Sequence, residues 1–202
     1  MNTCYHCSAI FNVPEVFCRP CLCLIDDLLR SRPRVTRALP EFVSGSLLEW
    51  LPSDRLITSL LESLKGGGRH KISEYLALHL VDSFRPMVNQ DILWIPAPAK
   101  KPNHVDHAVE LAMALQKICG GELFVELRRS NEESQKAKSR EDRKEFRCYL
   151  DSDKTYDFKN KQLIFVDDII TTGSTAYAAY VALGRPKDFF VMTVANRPWL
   201  ML

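Results

Sequence analysis

The sequence predicts an α/β protein, a doubly wound parallel sheet preceded by a small cysteine-rich module. Three observations carry that expectation. Apolar runs of strand length alternate with segments of helical periodicity through the second half of the chain, as a parallel sheet with crossover helices requires. The strongest run, Leu163 to Val166, ends in two adjacent carboxylates, Asp167 and Asp168, and passes through a hydroxyl-rich turn into an alanine-rich helical segment from Ser174 to Leu183. At the other end of the chain stand two C-x-x-C pairs, Cys4 with Cys7 and Cys18 with Cys21.

The 202 residues are 46% hydrophobic and carry 27 basic and 25 acidic side chains, enough for one good core and a small appendage. A formal charge of +2 excludes a strong general field for nucleic acid, so any such contact would need a local patch. No apolar run approaches the roughly 20 residues that span a bilayer, and the first residues lack a charged-then-apolar signal pattern. The expectation is a cytoplasmic protein without membrane insertion. In a reducing compartment its seven cysteines are better explained by metal or burial than by disulfides.

Taken in order, residues 1–24 read as a metal-binding module. Cys4, Cys7, Cys18 and Cys21 can surround one zinc tetrahedrally, each pair forming a knuckle whose backbone N–H groups face the sulfurs. Cys23 is an alternate for Cys21, and His6 a weaker substitute. With four protein ligands the metal has no open position, so its role is to staple the fold. Residues 25–90 read as a helical hood or linker. Leu24 to Trp50 mixes Arg30, Arg32, Arg34 and Arg37 with apolar residues and prolines, and resembles a loosely built connection. Leu56, Leu60, Leu61 and Leu64 then keep helical spacing up to the stop at Lys65 to Gly68, and Ile72, Tyr75, Leu76, His79 and Leu80 form one face of a second helix. His79 reads as a core-edge histidine.

Residues 91–202 carry the sheet. Asp91 to Pro98 is a buried strand broken by prolines, followed by a helix with Ala108, Leu111, Ala112, Leu115 and Ile118 inward. Glu122 to Leu127 reads as one more strand ending at Arg128 and Arg129, Ser130 to Glu145 as a long polar loop, and Phe189 to Ala195 as a last strand. In such sheets ligands sit at the carboxyl ends of strands, where Asp167 and Asp168 fall. Thr171, Thr172, Gly173, Ser174 and Thr175 can wrap a phosphate with backbone N–H groups and hydroxyls at a helix N-terminus. The two acids accept hydrogen bonds from hydroxyls one sugar away from that phosphate. A ribose 5-phosphate meets both demands.

Val166 to Thr175 resembles the phosphoribosyl pyrophosphate (PRPP) motif of type I phosphoribosyltransferases. With the cysteine knuckles, Leu64-Lys65-Gly66, the Ile95 to Pro98 turn and an arginine followed by Gln135, Arg140 and Arg143, the chain resembles the ComF family, phosphoribosyltransferase-like proteins of natural competence. The resemblance implies a type I phosphoribosyltransferase fold, PRPP as ligand with magnesium, and a role in bringing transforming single-stranded DNA into the cytoplasm beside a ComF-type helicase and other competence proteins. It implies that Thr171 to Thr175 hold the 5-phosphate and that Lys100 or Lys101 neutralises the pyrophosphate. Asp167, Asp168 and Arg143 form the implied catalytic set, with Gln135, Lys138, Arg140 and Arg143 on a closing loop. The family's Arg-Gly-Phe-Asn-Gln is replaced by Asn103-His104-Val105-Asp106-His107, and an expected asparagine by Phe146. His104 and His107 either replace the lost charge or belong to a surface helix start with Asp106 near its N-terminus. Two other readings stand beside this one: an adaptor that grips single-stranded DNA through its zinc module and Arg30, Arg32, Arg34, Arg37, Arg128 and Arg129 while keeping a non-catalytic PRPP site as a sensor, and a nucleobase salvage transferase.

Overall fold

The computed structural model describes residues 2–11, 16–31, 35–39, 41–66, 69–84, 91–99, 106–129, 148–150 and 156–197. Among them the chain forms a mixed α/β structure around a six-stranded sheet. A small antiparallel ribbon, β1 (Asn2–Thr3) and β2 (Ile10–Phe11), precedes helix α1 (Arg19–Ser31). Strands β3 (Val35–Ala38) and β4 (Val43–Glu49) lead to helices α2 (Arg55–Ser63) and α3 (Arg69–Ser83). Next come β5 (Ile92–Pro96), α4 (His107–Cys119), β6 (Glu122–Leu123) and β7 (Leu127–Arg129). After β8 (Cys148–Leu150), the chain closes with β9 (Gln162–Ile170), α5 (Ser174–Ala182) and β10 (Phe189–Asn196).

The sheet runs β3-β4-β10-β9-β5-β6, parallel throughout except for β3, which lies antiparallel on the edge against β4. Its central strands are apolar on both faces, because helices cover both. Ile92, Trp94, Ile164, Val166, Met192 and Val194 point into a core completed by Ile72, Leu76 and Leu80 of α3 and by Leu111 and Leu115 of α4. Their alternates Leu93, Ile95, Leu163, Phe165, Phe189 and Val191 point the other way, onto Ala176, Ala179 and Leu183 at α5. Small alanines on α5 let it lie close to the sheet. The crossover through α4 carries the chain from β5 outward to β6, whereas that through α5 carries it from β9 to β10 in the opposite direction. The strand order therefore reverses between β5 and β9, and the carboxyl ends of strands at such a switch are where ligands of these sheets bind.

Three expectations need correction. The stretch from Leu24 to Trp50 is no loose connection, since β3 and β4 within it complete the sheet. Ser44-Gly45-Ser46 sits inside β4, where Ser46 Oγ and Thr193 Oγ1 pair at 2.7 Å and both serines are buried. A Cβ at Gly45 would stand 2.4 Å from the Phe84 ring, so the glycine makes room for an aromatic roof. Glu122 to Leu127 is not one strand: β6 ends at Leu123, and β7 pairs instead with β8 as an antiparallel ribbon. Ile118 is 39% exposed on the outer side of α4, while Ala108, Leu111, Ala112 and Leu115 are buried as expected. His79 is half-buried against Tyr75 and 3.7 Å from Asp26, at the edge of the core. No helix among the described residues is long and apolar enough to cross a membrane.

The place of β4 is open to a direct check. Leu48 is fully buried in it, so Leu48→Ala should lower the unfolding free energy by about 2–5 kcal/mol in urea titrations. A loss below about 0.5 kcal/mol, the size of a surface substitution, would contradict a core strand there.

Candidate functional site: paired carboxylates at the strand switch

β5 stops at Pro96, opposite Val166, and Ala97 N donates to Val166 O at 2.8 Å as the last rung between these strands. β9 runs on through Asp167, Asp168, Ile169 and Ile170, held on its other side by β10. The acids thus lie inside a strand rather than after it, with one neighbour strand missing beside them. Asp168 is only 4% exposed, and Asp167 is half-buried.

Beyond Ile170 the turn Thr171 to Gly173 leads into α5. Gly173 takes the left-handed conformation (φ 76°) at the helix N-cap, where no side chain caps the helix. That conformation is the reason for glycine here, since the nearest atom to a Cβ would be an unobtrusive 3.6 Å away. Thr172 Oγ1 donates to Ser174 Oγ at 3.0 Å and accepts from Ser174 N at 3.3 Å, folding the hydroxyls back over the helix end. Asp167, Thr171, Gly173, Ser174 and Thr175 line one small cavity. The arrangement places hydrogen-bond acceptors for hydroxyls next to a helix N-terminus suited to an anion.

Two cations answer the acids. Lys65, just past the end of α2, puts Nζ 3.0 Å from Asp168 Oδ2. His107, the first residue of α4, puts Nε2 3.4 Å from Asp168 Oδ1 and 3.8 Å from Asp167 Oδ1. Its other ring nitrogen is engaged by Asp106, whose carboxylate also caps α4 by accepting from His107 N at 2.7 Å. His107 is thus the first residue of α4, and its ring is turned to the paired acids. Burial opposes the imidazolium, but Asp106, Asp167 and Asp168 outweigh it and push the His107 pKa up to about 11. Burial likewise resists ionisation of Asp168, yet His107 and Lys65 hold its carboxyl well below the usual range. Asp167 moves the other way, to about 6, because burial and the charge of Asp168 exceed the help from His107.

The four N-terminal cysteines also converge. Their sulfurs all lie within 4.8 Å of one another, with Cys7 and Cys18 3.6 Å apart. Sulfurs at bond lengths of about 2.3 Å from a tetrahedral zinc stand about 3.8 Å from each other, so this donor set fits that metal. Cys4 N donates to Ala9 O and Ser8 N to Cys4 O, which folds the first knuckle, and Cys21 comes from the first turn of α1. Burial works against the Cys4 thiolate, but backbone N–H groups of Cys7, Cys18 and His6 bring its pKa down to about 6. Cys21 is pushed up by burial and by its neighbouring sulfurs. Cys23 is exposed outside the cluster, and His6 Nδ1 turns to Ser59 Oγ at 3.3 Å.

Lys100, Lys101, Asn103, His104, Arg143 and the loop residues Gln135, Lys138, Arg140 and Phe146 lie outside the described residues, as do Arg32 and Arg34. Of the remaining arginines, Arg30 sits on α1, Arg37 on the edge strand β3, and Arg128 and Arg129 on β7 in the separate β7-β8 ribbon. Sequence reasoning gave Lys65 no role in the site. Nothing local marks Lys65 as a partner of Asp168, which lies on a strand far along the chain.

The His107 cage has a measurable consequence. An ordinary imidazole loses its proton near pH 6.5, whereas His107 should remain an imidazolium at pH 8, as read from its ring nitrogen shifts by NMR. Stability from this raised pKa is fully present below about pH 6.5 and is lost as pH rises toward about 11. Titration of His107 near pH 6.5 would contradict the cage. Compared with protein-family models and with curated proteins, the chain matches none.

Proposed function

We propose that the crevice between β5 and β9 binds PRPP with magnesium and that the chain is a phosphoribosyltransferase-like protein of the ComF type. The observation that carries this reading is the junction of Asp167 and Asp168 with a left-handed glycine turn and the open N-terminus of α5 at the point where strand order reverses. Few ligands ask for both hydroxyl acceptors and an anion cradle a few ångströms apart, and a ribose 5-phosphate does.

In this reading the backbone N–H groups and hydroxyls of Thr171 to Thr175 take the 5-phosphate. Asp167 and Asp168 accept from the ribose hydroxyls and fix the ring. The turn after Ile95 faces the pyrophosphate, whose charge Lys100 or Lys101 offsets, and Arg143 closes from the loop side. Magnesium, when bound with the ligand, adds compensation of the pyrophosphate charge and makes it a better leaving group. The bond from the anomeric carbon to the pyrophosphate oxygen then breaks with its electron pair leaving on oxygen, and an acceptor attacks the same carbon. Positioning is the chain's main contribution. His107 and Lys65 neutralise the acids before any ligand arrives, so ribose hydroxyls meet a dyad whose charge is already balanced.

Zinc at Cys4, Cys7, Cys18 and Cys21 serves as the staple of the N-terminal module in this reading. The resemblance to ComF proteins further assigns the molecule to natural transformation, with incoming single-stranded DNA and a ComF-type helicase as partners. For the adaptor alternative, the described arginines it names are spread over α1 (Arg30), β3 (Arg37) and β7 (Arg128 and Arg129).

Calorimetric titration of PRPP with magnesium into zinc-loaded protein tests the proposal. Saturable binding is expected, with a loss of at least about tenfold in affinity, or about 1.4 kcal/mol, in the Asp167→Ala, Asp168→Ala double variant. No heat from the wild-type protein, or equal affinity in the variant, would overturn it.

A further inference from the structure

We propose that His107, Asp167 and Asp168 form a seat for a divalent transition-metal ion held by the protein itself. The inference rests on the phosphoribosyl reading in setting a protein-held ion, distinct from the magnesium that accompanies PRPP, beside the sugar site, yet it concerns the ligand-free protein and can fail separately.

The geometry is that of a three-donor metal site. Donors bound at about 2.0–2.2 Å in tetrahedral or octahedral arrangement stand about 3.0–3.5 Å from one another. His107 Nε2 is 3.4 Å from Asp168 Oδ1 and 3.8 Å from Asp167 Oδ1, and one ligand atom from each of the three residues lies within 4.8 Å of the others. Small side-chain adjustments bring three donors to one centre. The surrounding groups orient them as metal sites require. Asp106 engages the far ring nitrogen of His107, which aims Nε2 at the acids in the carboxylate–histidine arrangement that supports metal ligands. Asp167 Oδ1 also accepts from Asp168 N at 2.8 Å, and Lys65 takes the other oxygen of Asp168, Oδ2, at 3.0 Å. Asp168 Oδ1 therefore remains directed at the seat.

The donor set also selects the ion. One imidazole with two carboxylates suits manganese, cobalt or zinc, whereas magnesium prefers oxygen ligands and keeps its waters. The ion binds the neutral imidazole, so it competes with a proton for Nε2 and uptake strengthens as pH rises. Three protein donors leave open positions on the side of the crevice, where oxygens of a phosphorylated sugar would reach.

Manganese is the probe, added without PRPP to protein whose cysteine cluster is already filled with zinc. The six-line electron paramagnetic resonance signal of free Mn2+ at pH 8 should fall with a stoichiometry of one ion per chain. His107→Gln should abolish this uptake. Asp106→Asn keeps a good helix cap and should weaken uptake by about 10–100-fold, as loss of a ligand-orienting partner does. Circular dichroism confirms that each variant is folded. Uptake unchanged in His107→Gln, or absent in the wild-type protein, overturns the inference. PRPP binding that persists while manganese uptake fails would refute the seat and leave the phosphoribosyl reading in place.

Discussion

Two adjacent carboxylates near the end of a parallel strand impose the constraint to which the rest of this site responds. Asp167 and Asp168 are too enclosed to be solvated freely and too close to ionise independently, so the fold must bring cations to them. It brings two, from different elements: His107 at the start of α4 and Lys65 beyond the end of α2. Each arrives by a separate device. Asp106 caps α4 and orients the imidazole with the same carboxylate, whereas Lys65 follows the C-cap of α2, where its N–H donates to Glu62 O. The asymmetry of the dyad follows from this placement. Asp168 faces both cations and is held ionised, while Asp167 faces one and is pushed toward the neutral form.

The cysteine module is joined to this balance rather than appended to it. Tyr5, within the first knuckle, reaches Gly66, where a Cβ would meet its hydroxyl at 1.9 Å, and Gly66 adjoins the lysine that pairs with Asp168. Cys4, Cys18 and Cys21 are themselves buried in the same core cluster as Ile57, Leu60, Leu64, Ile72 and Leu76. Order in the module is therefore coupled to the position of Lys65. A metal bound by four thiols would set that order, linking a structural ion at one end of the chain to the electrostatics of the crevice.

Much of the architecture was legible because periodicity and burial agree. The strands around Trp94 and Ile164 are continuous apolar runs, as strands covered on both faces must be, and α4 shows its inward stripe up to Leu115. The paired acids and the threonine-glycine turn were visible for a different reason, since they break the apolar pattern at the point where a ligand would sit. What escaped depended on contacts distant in sequence. β4 hides behind Ser44-Gly45-Ser46, which looks like a turn until Thr193 and the Phe84 ring are beside it. β6 and β7 share one apolar run, and only the pairing of β7 with β8 divides it. Lys65 has no local signal of charge pairing, because its partner lies on a strand far along the chain. His107 was visible as a histidine near a helix start, but not as the residue that bridges both acids.

The claim on which the account turns is that the acids and the glycine turn act together on one phosphorylated sugar. A crystal structure of the zinc-loaded protein grown with PRPP and magnesium tests it most directly. The expected density places the 5-phosphate on the N–H groups of Thr171 to Thr175 and the ribose hydroxyls on Asp167 and Asp168, with His107 and Lys65 still beside the dyad. A ligand bound elsewhere, or one whose phosphate avoids that turn, would contradict it.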